Sequence, residues 1–178
     1  MTDLVIPNYT VIDELSAGEG KNLNYLIISE GNEEIRDMNT HLAGNNLIGI
    51  YLPKSLKKIE NPDCIPYSGV KLYVYEGSYA HKFAEKNGYI VKLVKPIDHI
   101  ELSAESLDLR IKKTANIKAI VQPKNATSKR LVWFSSDDLV ATVKDGKVTA
   151  VDEGECDIYC RGLDSGLKTA ICHVTVTK

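Results

Sequence analysis

The hydrophobic pattern of this chain changes character once, near Pro96. Before that point three apolar runs, "LVIPNYTVI" (4–12), "LIISEGNEEI" (26–35) and "IYLPKSLKKI" (50–59), share one plan: a short strand, a Pro or Glu-Gly break, then an isoleucine six or seven residues on. Ile28 and Ile35 precede Leu52 and Ile59 by 24 residues, and Ile6 precedes Ile28 by the 22 that separate Leu52 from Val74. A fixed period of this size marks units that bury their apolar faces only by stacking on one another. In "KLYVYEGSYAHKFAEKNGY" (71–89) the period becomes helical: Ser78 is placed to cap, Ala80, Phe83 and Ala84 share a face, and Asn87 with Gly88 supplies the stop. After Pro96, alternating runs come at roughly ten-residue spacing, from "IDHIELS" to "AICHVTV", the pattern of an antiparallel sandwich. A short junction containing Pro96 predicts two domains, 1–95 and 96–178, in a mainly β fold.

Strand periodicity also assigns faces. If Leu26 and Ile28, Ile50 and Leu52, and Leu72 and Val74 point inward, then Tyr25, Ile27, Tyr51, Tyr73 and Tyr75 form an exposed stripe, the candidate ligand-binding surface. The alternative is ordinary cross-strand pairing, or cover by the neighbouring domain. In "RLVWFSS" Trp133 shares a face with Leu131 and reads as a core anchor. Ser135, Ser136, Asp137 and Asp138 then fall between strands, where such side chains bond backbone amides and initiate turns. "KDGK" (144–147) predicts a two-residue hairpin.

The first domain resembles the leucine-rich-repeat group of bacterial surface antigens called BspA-like, with a pattern near "I-x-I-P-x-x-v-x-x-I"; "IYLPKSLKKI" matches best and "ENPDCIPYSGV" keeps only Cys64 of the usual continuation. The strand and "GSYA" helix resemble the element that closes such arrays. The second domain resembles the bacterial Ig-like domain, group 2, through "IEL" (100–102), "QPKNATSKRLVWFSSDD" (122–138), "VATVKDGKVTAVDEG" (140–154) and "CHVTV" (172–176). The departure is "GECDIYC", where that family has small residues or threonine. The resemblance implies a structural and adhesive module of bacterial cell-surface proteins, adhesins or phage virion proteins, and nothing in it requires catalysis.

Charge narrows the partners. With 22 basic and 24 acidic residues the net charge is -2, and neither half has the basic excess that nucleic acid or anionic membrane attracts. No run approaches a membrane span, and "MTDLVIPNYT" lacks the features of a signal peptide. Cys156, Ile158 and Cys160 share one strand face and Cys172 lies with Val174 and Val176, so two readings stand: small buried thiols, or a Cys160 to Cys172 disulfide. His41, His81, His99 and His173 have no ligand-like spacing, and there is no nucleophile elbow, zinc-protease or phosphate-loop motif. Asp137 and Asp138 lack the ladder of a calcium loop, which favours turn capping. The Asn8 and Asn125 sequons read as incidental.

The expectation is therefore a protein that is not an enzyme, with no cofactor and no metal: an extracellular or cell-surface adhesion protein, this chain being a fragment of a longer one. The Ig-like domain would serve as spacer and the repeats as recognition face for a host or cell-surface protein or glycan. A repeat array with no N-terminal cap adds possible self-association through its open edge. Two alternatives stand beside it, a phage or prophage virion protein and the non-catalytic accessory region of a surface hydrolase.

Overall fold

The computed structural model describes residues 2–6, 11–12, 23–38, 47–65, 69–164 and 166–178. Asn8 and His41 lie outside them. The chain divides into two compact units, one of Met1–Lys95 with Asp164–Gly166 and the other of Pro96–Leu163 with Leu167–Lys178.

In the first unit the strands are β1 (Thr2–Ile6), β2 (Val11–Ile12), β3 (Leu23–Ile28), β4 (Glu34–Ile35), β5 (Gly49–Tyr51), β6 (Lys58–Ile59), β7 (Lys71–Val74) and β8 (Ile90–Leu93), with helix α1 (Tyr79–Lys86) before β8. They form two parallel sheets, ordered β1-β3-β5-β7-β8 and β2-β4-β6. The sequence offsets reappear as lateral register. Ile6 lies beside Ile28, Leu26 beside Ile50, Ile50 beside Leu72 and Ile35 beside Ile59. These side chains, with Met38, Leu56 and the Ala80, Phe83 and Ala84 face of α1, form one buried cluster.

The breaks between strands also join successive units. The Glu30 carboxylate accepts the Lys54 and Ser55 amides at 2.7 and 3.0 Å, and Ser55 Oγ accepts from the Gly31 amide and donates to the Asn32 carbonyl. The turns at 30–32 and 54–55 thus satisfy backbone groups that either alone would leave open. Ser78 caps α1 by accepting the His81 amide at 3.1 Å, as its position predicts. The helix does not end the sheet, however: Gly88, at φ 72°, turns the chain back and β8 pairs in parallel with β7.

The second unit comprises β9 (His99–Leu102), β10 (Ser106–Arg110), β11 (Thr114–Asn116), β12 (Ala119–Gln122), β13 (Leu131–Ser135), β14 (Ala141–Lys144), β15 (Lys147–Ala150), β16 (Gly154–Gly162) and β17 (Thr169–Thr177). Sheet β10-β17-β16-β13 is joined by β11-β15-β14 and the pair β12-β9. One pairing departs from the antiparallel expectation, since β10 runs parallel to β17. The chain leaves β9, the partner of β12, after Leu102 and pairs in the other sheet from Ser106 onward.

The core of this unit is two clusters, one around Ile117, Val148, Ile158 and Val174 and a smaller one around Ile97, Ile100, Val121 and Cys160. Trp133 packs against both, which is the anchoring role its strand position predicts. Among the described residues no helix is long and apolar enough to cross a membrane, which says nothing of spans made by strands.

Candidate functional site

The tyrosines come together, but not as an exposed stripe. Register sets Ile27, Tyr51 and Tyr73 in one row across β3, β5 and β7, with Tyr25 and Gly49 in the next. A Cβ on Gly49 would stand 2.5 and 2.9 Å from carbons of the Tyr73 ring, so the missing side chain is the space that ring occupies. Tyr73 stacks on Tyr51 at 4.3 Å between centroids, and Tyr25 packs against both at 6.1 Å. Ile27 is fully buried and Tyr51 is 4% exposed, which corrects the expectation for those two residues; Tyr25, Tyr73 and Tyr75 are half-buried. Rings that fold over a glycine onto one another bury area that a ladder of projecting rings would display.

The serine and aspartate cluster after Trp133 is committed to turn structure. Ser135 Oγ accepts the Asp137 amide at 3.1 Å, the Asp137 carboxylate accepts the Leu139 amide at 2.9 Å, and Ser136 Oγ accepts the Asp157 amide at 2.9 Å. Asp138 is exposed. The hairpin at 144–147 takes the expected form, with Asp145 and Gly146 at φ 51° and 81° between β14 and β15.

All four cysteines are free and buried. The disulfide expectation is corrected by register: Cys160 lies opposite Ala170 and Cys172 opposite Ile158, leaving the two cysteines diagonal. A diagonal pair stands about 7–8 Å apart, beyond the usual disulfide span. Burial pushes the Cys160 thiol up to about 11 and raises those of Cys64, Cys156 and Cys172, so none is poised as a nucleophile. Among the described residues no group of three or more His, Cys, Asp or Glu is arranged to hold a metal ion.

Sequence reasoning passed over the outward face of the β17-β16-β13 sheet. Because Cys156, Ile158 and Cys160 point into the core, Asp157, Tyr159 and Arg161 point out; the same period-2 argument could have found them. Phe134 stacks on Tyr159 at 5.0 Å and Arg161 covers the Phe134 ring at 5.0 Å. Next along the face, Asp157 and His173 are directly opposed and their side chains meet at 2.5 Å. Two open depressions flank His173, one beside Ser136, Glu155 and Asp157 and the other beside β9. The first offers a histidine and carboxylates, but the Ser136 hydroxyl is already bonded to the backbone of β16.

Residues 96–160 match the family model of the bacterial Ig-like domain (group 2). An uncharacterised protein of Clostridium acetobutylicum is 31% identical over 103 residues, which span 57% of this chain and 10% of the relative. A second uncharacterised protein of the same organism is 36% identical over 69 residues, or 38% of this chain and 17% of that one. The chain thus spans a small part of the curated relatives it matches. Domains 4 and 5 of the S-layer protein SbsC are similar over 49% of this chain and 56% of that one, at 19% identity and a TM-score of 0.41.

Proposed function

We propose that this chain is a non-catalytic module of a bacterial cell-surface or secreted protein, in which the Ig-like unit serves as a rigid spacer and the parallel-stranded unit as the element that recognises a protein or glycan partner. The observation that carries the reading is the bacterial Ig-like match over residues 96–160, joined to the use its polar cluster is put to: Ser135, Ser136 and Asp137 all serve turn and strand backbone. For the first unit, a leucine-rich-repeat segment of the BspA-like type is supported by the 22 to 24 residue offsets that set strand register. Brief trypsin treatment of intact producing cells, followed by mass spectrometry, tests the location. Peptides of this chain are expected in the released fraction before lysis. Recovery only after lysis, or only with purified virus particles, would sink the reading.

A further inference from the structure

The outward face of a sandwich sheet ordinarily alternates to polar residues. On sheet β10-β17-β16-β13 it does not. Register sets Phe134, Tyr159 and Ile171 in one outward row across β13, β16 and β17, and Val132 stands beside Arg161 in the next. Val132 and Ile171 are 39% and 43% exposed, and Phe134 and Tyr159 are half-buried. Aromatic side chains and arginine with adjacent apolar surface are the composition of a protein interface.

The face is ordered before anything meets it. Phe134 stacks on Tyr159, the Arg161 guanidinium covers the Phe134 ring, and Arg161 Nε donates to Thr169 Oγ1 at 3.1 Å. On the other side of the row the Asp157 carboxylate meets His173 and accepts from the Tyr159 hydroxyl at 3.4 Å. These bonds use part of each charged group: the terminal guanidinium N–H groups and further carboxylate lone pairs remain for a second partner.

The order of charges along β16 decides what that partner is. Asp157 and Arg161 lie two residues, or about 7 Å, to either side of Tyr159. Let two copies meet face to face about a two-fold axis that runs across the strands through the central row. Each Arg161 then faces Asp157 of the other copy, twice over, while Phe134, Tyr159 and Ile171 cover the same row opposite. A two-fold along the strands would instead set Arg161 on Arg161 and Asp157 on Asp157. Charge therefore selects one isologous arrangement.

We propose that this face binds a second copy of the chain, sheet on sheet, in a reversible dimer. It is independent of the proposed location and of the open edge of the repeat unit. Strands of these lengths offer about 500 Å² of face per copy, or about 1,000 Å² in all, which suits a transient interface better than an obligate one.

Sedimentation equilibrium of the full chain, from low micromolar to near-millimolar concentration, reads the association. The average mass is expected to climb from 19.7 kDa toward twice that value. Asp157→Arg and Arg161→Asp each place like charges across the two-fold in two places and weaken association about tenfold or more. An equimolar mixture of the two variants regains it, because the basic copy then faces the acidic one at both pairs. Ile171→Glu, at an exposed position in the central row, weakens association to a similar degree without touching either charged residue. A mass that stays at 19.7 kDa throughout, association that Ile171→Glu leaves unchanged, or a mixture that associates no better than its components would overturn the proposal.

Discussion

The Cys160 thiol shows how one buried residue couples fold to pH. It has no exposed surface, and desolvation alone lifts it to about 11 from an ordinary 9.0. The folded state therefore holds this proton more tightly than the unfolded state does. Its contribution is fully present below pH 9 and is lost as pH rises toward 11, by up to roughly 2–3 kcal/mol. Urea midpoints at pH 8 and 10.5, for the wild type and Cys160→Val, isolate this from lysine and tyrosine titration. The wild type should lose more stability than the variant, and parallel losses would show that the thiol is not desolvated. The inward face carrying Cys160 was legible from alternation in "ECDIYC", as was the core position of Trp133. The burial of Tyr51 was not, because it depends on a residue without a side chain: Gly49 makes room for Tyr73 across the strand boundary, and period-2 reasoning follows one strand at a time.

The hairpin of β14 and β15 is the element whose turn the sequence specifies most closely. Asp145 and Gly146 both take the left-handed conformation that a two-residue hairpin requires. Gly146 has a second constraint: a Cβ there would stand 2.3 Å from the Ile117 carbonyl oxygen and 3.3 Å from the Trp133 ring. Gly146→Ala should cost about 2–4 kcal/mol, more than the roughly 1 kcal/mol of backbone strain alone, and should change the Trp133 emission. Asp145→Asn should be near neutral, since asparagine tolerates the same conformation. Equal, small losses in thermal unfolding for both variants would refute the steric part of this account. The parallel partnership of β10 was not legible, because alternation fixes which side chains face inward and leaves open which sheet a strand joins. The same limit hid β8, whose run "IVKL" (90–93) is largely exposed and carries little periodic signal.

At the scale of the molecule, a repeat period set the register of one unit and a run of alternating strands set the other, each around its own buried clusters. The second unit joins β9 through β17 with both of its clusters internal, so its stability does not require the repeat unit to complete a core. At about 80 residues it is small, and a domain of that size is marginal, with about 4–10 kcal/mol of stability. Residues 96–178 expressed alone are therefore expected to unfold in one cooperative transition. Trp133, the chain's single tryptophan, reports it directly. Within that fragment Ile158→Ala removes a fully buried side chain from the larger cluster and should lower stability by about 2–4 kcal/mol, close to the whole margin. Val132→Ala, at a 39% exposed position on the opposite face of the sheet, should cost less than about 1 kcal/mol. A fragment whose tryptophan emission stays solvent-exposed without denaturant would show that the sandwich needs more of the chain than its own strands supply.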